Sequence, residues 1–310
     1  MNYSIRAPLH NFGAKLLPMK NTLHSLANIF FDEKGAERYL EEQRVYYAEL
    51  ICDNCGSHMS RSYARMKFRC LSSSCQRQLN IRAHTFFSGN KLKAHQILLL
   101  AKLWVDRVGV ASSILLTGHS PDTVVQFYNH FRCLVSSTLV EEDRIIGGPG
   151  VIVEVDETKL GKRKYNRGHR VEGVWVVVGV ERTVERRAFA VSVEKRDADT
   201  LREIVLNHVR PGSVIHTDLW KGYSWLDGDG RYSHGTVNHS VGFKDGETGV
   251  HTNYVEGTNN GLKIRIPVRS RVREGIEEHL GEFLWRRKHE SDDIWESLIC
   301  AMRDVHYDLE

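Results

Sequence analysis

An α/β fold is predicted by the order of patterns in the second half of the 310-residue sequence. Three β-rich runs, "VIVEVDET" (151–158), "GVWVVVGVERT" (173–183) and "RRAFAVSVEK" (186–195), follow one another with short links. A helical run, a further strand and more helices come after them. Three consecutive strands, a helix, a strand and helices is the order of an RNase H-like fold, a mixed sheet flanked by helices. Two observations predict what precedes this unit. Four cysteines recur at metal-ligand spacing, and a short helix, a glycine turn and a capped helix follow them.

Composition sets the outer bounds. Hydrophobic residues make up 41% of the chain, an ordinary globular value. No run of about 18 apolar residues occurs, which argues against a membrane span. The first twenty residues lack an uninterrupted apolar core of the kind a secretory signal needs, so an intracellular protein is expected. Net charge is +4, and the placement of the basic residues says more than the total.

Residues 22–48 read as helical, with Asp32 as an N-cap. "CDNCGSHMSRSYARMKFRCLSSSC" then spaces Cys52, Cys55, Cys70 and Cys75 as C-x2-C, fourteen residues, C-x4-C. Two knuckles joined by a hairpin is the layout of a zinc ribbon, because one tetrahedral Zn²⁺ needs four ligands converging from two turns. The hairpin carries Arg61, Arg65, Lys67 and Arg69, a basic surface suited to phosphates. Cys133 and Cys300 have no partner at useful spacing and read as core residues. "LKAHQILLLAKLWVDRV" puts Ile97, Leu100, Ala101 and Trp104 near one helical face. A short helix ending at Gly118 and a helix opening with Ser120 and Pro121 complete a helix-turn-helix pattern. "GGPG" (147–150) breaks the chain.

The expected layout is an N-terminal helical region over 1–49, the zinc ribbon over 50–90 and a helix-turn-helix DNA-binding region over 91–146. The RNase H-like domain covers 150–290, and a C-terminal helix covers 291–310.

Within the sheet unit the puzzle is acidic residues in a β-branched strand. Buried carboxylates cost several kcal/mol each unless something compensates, so either these side chains reach solvent or something positive sits against them. By strand alternation Glu154 and Asp156 share a face and Glu157 points to the other. "SVIHTDLW" repeats the theme with Asp218 near its end. If the two strands are adjacent, Asp156 and Asp218 approach each other, and divalent cations would offset their repulsion. Two Mg²⁺ ions about 4 Å apart are the standard device for in-line phosphodiester chemistry. Glu256, in "HTNYVEGTNN", is the candidate for a third acidic group, on a helix. Glu154 is a rival or helper of Asp156. His216 and His251 flank two members of the trio.

"EVDETKLGKRKYNRGHRVEGVWVVVGVER", "HTDLWKGYSWL", "TVNHSVGFKDGETGVHTNYVEG" and "EFLWRRK" resemble the catalytic domain of Merlin-type DDE transposases, which are related to bacterial insertion-sequence transposases of the ISXO2-like lineage. The resemblance spans roughly residues 50–290. It implies an RNase H-like transposase fold and Mg²⁺-dependent (or Mn²⁺-dependent) DNA cleavage and transfer at terminal inverted repeats, using two ions. Carried over by motif position, the triad falls on Asp156, Asp218 and Glu256. It further implies double-stranded DNA as partner and a homodimer or higher oligomer. The expected compartment is the nucleus in a eukaryotic host and the cytoplasm in a bacterium. Lys162, Arg163, Lys164, Arg167 and Arg170 after the first strand, and Lys263 and Arg265 after Glu256, would rim the site and bind the DNA backbone, with Arg65 and Lys67 of the ribbon. Asn259, Asn260 and Gly261 are weak helix residues, which predicts a less rigid Glu256 helix. That softness is the argument for the alternative function, a domesticated DNA-binding protein that keeps the fold as a scaffold.

Overall fold

The structure is a computed structural model and describes residues 21–62, 65–161, 173–237 and 250–305. It is a mixed α/β molecule with a central sheet. Helices α1 (Ala27–Phe31) and α2 (Glu33–Glu42) open it, and the Asp32 carboxylate caps α2 by accepting from Gly35 N–H at 2.8 Å. Strands β1 (Leu50–Ile51), β2 (His58–Ser62), β3 (Lys67–Cys70) and β4 (Gln78–Asn80) form an antiparallel sheet in that order. Helices α3 (Ala94–Val105), α4 (Val110–Thr117) and α5 (Pro121–Ser137) follow.

The turn between α4 and α5 is built as its residues dictate. Gly118 takes the left-handed conformation, at φ 70°, that ends α4. Ser120 Oγ accepts from Thr123 N–H at 3.2 Å to start α5. The Tyr128 hydroxyl then ties the three helices together. It donates to the Val108 carbonyl at 3.0 Å and lies 2.6 Å from the buried Ser113 hydroxyl.

The larger sheet comes next. After β5 (Ile146–Gly147), strands β6 (Ile152–Leu160), β7 (Val174–Glu181) and β8 (Ala188–Val193) make an antiparallel meander. Helix α6 (Ala198–His208), capped by Asp197, leads to β9 (Val209–Arg210), which pairs with β5. β10 (Val214–Asp218) then lies parallel to β6, and β11 (Ser233–Val237) lies parallel to β10. The order across the sheet is β11-β10-β6-β7-β8. Helices α7 (Asn253–Arg265), α8 (Ile276–Lys288) and α9 (Ile294–Asp304) close the chain.

Alternation along the strands sorts the two faces. Val153, Val155, Val177, Phe189 and Ile215 pack with Leu201, Ile204 and Val205 of α6. Leu160, Val174, Val176, Val178 and Val180 pack with Val255 and Leu262 of α7 and Leu280 and Leu284 of α8. A third core joins α1–α5 and the ribbon through Phe30, Phe68, Phe87 and Phe131, and takes in Trp285 of α8 and Trp295 of α9. Helix α9 therefore returns to the N-terminal unit, where Trp295 Nε1–H donates to the Tyr39 hydroxyl at 2.9 Å.

Two sequence expectations are corrected. Cys133 and Cys300 are exposed and do not belong to the core, because each lies on the outer side of its helix. Arg61 is no phosphate-facing residue: it donates to the Tyr47 carbonyl at 3.1 Å, pairs with Glu41 at 3.1 Å and stacks on Phe68. Among the described residues, no helix is long and apolar enough to cross a membrane.

Candidate active site and metal centre

The acidic strand is explained residue by residue. Glu154 is fully buried, and three hydrogen-bond donors compensate it, with a histidine ring close by. Arg182 Nε donates to its Oε1 at 2.5 Å, His251 Nδ1 lies 3.2 Å from the same oxygen, and the backbone N–H groups of Tyr254 and Val255 donate to Oε2 at 2.7 and 3.0 Å. A carboxylate accepting two N–H bonds at a helix start complements the positive end of the helix dipole. Glu154 thus moors the N-terminus of α7 to β6. Arg182 also bonds the carbonyl of His251 and, through Nη2, approaches His216 Nδ1 at 3.1 Å. Arginine only donates, so His216 Nδ1 accepts and the ring is neutral. Burial first, then the Arg182 charge, lowers the His216 pKa to about 4.

Two residues further along the strand, Asp156 Oδ2 accepts from Asn259 Nδ2 at 2.8 Å. Asn259 is 4% exposed and lies within α7, which runs unbroken through Asn259, Asn260 and Gly261. Asn259, one of the three residues read as the soft part of the helix, therefore ties it to the sheet. With Glu154 at its first turn and Asp156 one turn on, α7 runs alongside β6 in the same direction.

Asp218 ends β10. The last register pair between β10 and β6 is His216 with Glu154. Asp218 and Asp156 each lie two residues beyond that last pair, on the same face of neighbouring strands. Asp218 Oδ1 accepts from Trp220 N–H at 3.0 Å, which fixes its rotamer.

Glu256 is placed by helix geometry. Val255, Asn259 and Leu262 face the sheet. Tyr254 and Thr258 face the α8 side, where Arg186 stacks on Tyr254 and Arg287 reaches Thr258. Glu256 is two residues from each, hence about 200° around the helix. It lies on the flank of α7 opposite Tyr254 and Thr258, away from α8. The three acidic residues thus come from the middle of β6, the end of β10 and the first turn of α7. Their ligand atoms do not form a tight cluster. Among the described residues, only four cysteines make a group of three or more ligand atoms within 4.8 Å of one another.

On the opposite face, Glu157 Oε1 accepts from the Tyr223 hydroxyl, and Arg196 approaches Oε2 at 4.0 Å. The Arg196 guanidinium lies between the rings of Trp175 and Trp220, 4.3 and 4.2 Å from their centroids. Burial, and then the charges of Asp156 and Asp218, push the Glu157 pKa up to about 7, against the Tyr223 hydrogen bond. Glu157 therefore registers the negative field that the two aspartates share.

The cysteines converge fully. Cys52 and Cys75 Sγ are 3.7 Å apart, and Cys55 and Cys70 Sγ are 3.4 Å apart. Tetrahedral Zn²⁺ with Zn–S bonds of about 2.3 Å needs sulfur pairs about 3.8 Å apart, so the four thiols fit one ion. The knuckles supply this locally: Gly56 at φ 69° and Gln76 at φ 48° turn the chain after each cysteine pair.

Of the basic residues singled out, Arg65 and Lys67 are exposed on the ribbon hairpin, and Lys263 and Arg265 are exposed on the last turn of α7. Lys162, Arg163, Lys164, Arg167 and Arg170 lie outside the described residues.

Residues 147–288 match the ISXO2-like transposase domain. This is the lineage to which the motifs pointed, and the matched span holds β6–β11, α7 and α8. An uncharacterised transposase-like protein of Haemophilus influenzae is 31% identical over 74 residues, 24% of this chain and 55% of that protein. The chain spans about half the length of that curated relative. With an ISXO2-like transposase domain in view, three residues to which the sequence reading gave no fixed role stand out. Arg182 and Glu154 anchor α7, and Asn259 orients Asp156. Signals for them existed: a buried strand glutamate demanded a cation, and Asn259 is three residues after Glu256, one helical turn on.

Proposed function

We propose that the protein is a DDE-type DNA transposase with an RNase H-like catalytic domain, which binds the terminal inverted repeats of its element and cuts and joins DNA strands at Asp156, Asp218 and Glu256. The observation that supports this reading is that Asp156 and Asp218 lie two residues beyond the last register pair of adjacent parallel strands, on one face, with Glu256 in the first turn of the helix whose Asn259 bonds Asp156. The strand order β11-β10-β6-β7-β8, with β7 antiparallel to its neighbours, supports the fold assignment. The donor set fits divalent cations. The oxygens are hard carboxylates, which suit Mg²⁺ or Mn²⁺, and their charges add to the burial that raises the pKa of the neighbouring Glu157.

When bound there, two such ions supply charge stabilisation at the attacking and leaving oxygens of an in-line displacement. The chain's own residues do the rest. Asn259 and the Trp220 N–H hold the two aspartates in fixed rotamers. Glu154 and Arg182 fix α7 and with it the height of Glu256. His216 is neutral and adds no positive charge that would compete for the carboxylates. Water attacks the phosphodiester first, and the freed 3′-hydroxyl then attacks target DNA in the same site. No side chain is a covalent nucleophile. The cysteine cluster would hold one structural Zn²⁺, and the exposed Lys263, Arg65 and Lys67 would engage DNA backbone, whereas Arg265 faces away from the carboxylates. A dimer or larger assembly pairs two DNA ends. The alternative, a domesticated DNA-binding protein, drew on a soft Glu256 helix, and the bonding of Asn259 to Asp156 removes that support.

The test is cleavage of duplex DNA carrying the repeats that flank the gene, with Mg²⁺. Asp156→Asn, Asp218→Asn and Glu256→Gln are each expected to lower the rate about a thousandfold or more, since metal stabilisation is worth several kcal/mol at about 1.4 kcal/mol per decade. Wild-type rates in all three would remove the mechanism.

A further inference from the structure

A groove of about 1630 Å³ separates the helical unit from the sheet unit and is distinct from the carboxylate site. One wall is α3–α5. The other is α7, α8 and the segment after α7. Helix α7 divides the two regions: Tyr254, Thr258 and Arg265 face the groove, whereas Glu256 lies on the opposite flank, nine residues and about 180° from Arg265.

The groove is strongly positive. Seven arginines and two glutamates line it. Glu282 is already shared by Arg132 at 3.0 Å and Arg286 at 2.8 Å. Glu290, the other carboxylate, is exposed. Arg286 is built into the wall, donating to the Val105 and Trp104 carbonyls at 3.1 and 2.9 Å and stacking on Trp104. Arg107, Arg265 and Arg269 are exposed. Partial desolvation against the groove wall, then repulsion from Arg286 and Arg265, holds the Arg107 guanidinium below its ordinary pKa. Gathering like charges in this way costs stability, and a polyanion would recover it. Pro121, Val125, Asn129 and Arg132, one face of α5 beginning at the turn after α4, also line the groove.

We propose that this groove holds the sugar–phosphate backbone of a DNA segment other than the one at the carboxylates, gripped between Arg107 and the α5 face on one side and Arg265 and Arg269 on the other. The proposal rests on the reading that the protein handles DNA. It adds a second DNA path, on the far flank of α7 from Glu256.

The experiment is fluorescence anisotropy with a labelled duplex of arbitrary sequence, titrated across salt concentrations without divalent ions. The probe proteins are the full chain and its R107Q/R265Q/R269Q and R107K/R265K/R269K variants. At a slope of about 0.9 per phosphate contact, the glutamine variant is expected to flatten the dependence of log K on log salt by about 2.7 and to weaken binding on the order of tenfold or more. The lysine variant, which keeps every charge, is expected to retain the parental slope. Unchanged slope and affinity in the glutamine variant would overturn the proposal, as would equal loss in the lysine variant. Competition by inorganic polyphosphate as effective as duplex, phosphate for phosphate, would overturn the assignment to DNA. The readout uses neither divalent ions nor strand cleavage, so the transposase reading can fail while the groove stands, and the reverse.

Discussion

The four cysteines and the three carboxylates differ in how far the polypeptide alone brings them together. The sulfurs are mutually within 4.8 Å, positioned by two short knuckles and one hairpin. The carboxylates come from β6, β10 and α7 and stop short of such a cluster. Asp156 and Asp218 each bond to a neighbour, Asn259 Nδ2 and Trp220 N–H, and both repel a third acid, Glu157. Hydrogen bonds, from Ser57 first, lower the Cys55 pKa to about 6 and so help the thiols gather before a metal arrives, whereas several carboxylates gathered at one place repel one another. A structural site can therefore be preformed by the chain, and a catalytic one needs its cations to close.

The largest effect expected from this contrast is loss of the ribbon on chelation or on Cys52→Ser with Cys70→Ser. Structural zinc contributes roughly 10 kcal/mol or more of binding free energy, so the fold of β1–β4 should collapse, as read by tryptic cleavage within 50–81. Chelation should leave the large sheet folded, because no part of its two cores draws on the cysteines.

Next in size is Glu154→Ala. It strips Arg182 and two helix N–H groups of their buried partner, and breaking such a pair costs about 3–5 kcal/mol. Urea denaturation should show this loss. A change under about 1 kcal/mol would mean that α7 is moored by its apolar face alone.

Glu157 sharpens the comparison through pH. Its folded pKa of about 7 exceeds the ordinary 4.5, so the folded state holds this proton more tightly. Stability from this group is greatest below pH about 4.5 and falls as pH rises to about 7, by up to about 3 kcal/mol at 1.36 kcal/mol per unit. Glu157→Gln should flatten that slope and be the more stable form at pH 8. Adding Mg²⁺ should reduce the slope in the parent protein, because cations would mask Asp156 and Asp218.

Smallest is Asn259→Ala. Removing a group that orients a metal ligand typically costs 10–100-fold in affinity or activity, about 1.4–2.7 kcal/mol. The Mg²⁺ concentration for half-maximal cleavage should rise by that factor with little change in melting temperature.

Much of this was legible in the sequence. Caps at Asp32 and Ser120 were readable because each is a local side-chain-to-backbone bond. The ribbon was readable because its spacing reports two local turns. Strand alternation correctly separated Glu154 and Asp156 from Glu157. What stayed hidden was tertiary. Asn259 looks like a poor helix residue until its bond to Asp156, 103 positions away, is seen. Arg61 looks like a phosphate ligand until Glu41 and the Tyr47 carbonyl are found beside it. The return of α9 to the N-terminal core has no local signal.

The most direct measurement is a crystal structure of the protein soaked with Mn²⁺, located by its anomalous signal. The account expects Mn²⁺ between Asp156 and Asp218 with Glu256 drawn toward it, two ions about 4 Å apart when DNA is bound. Manganese bound elsewhere, with Asp156, Asp218 and Glu256 all unliganded at saturating concentration, would contradict it.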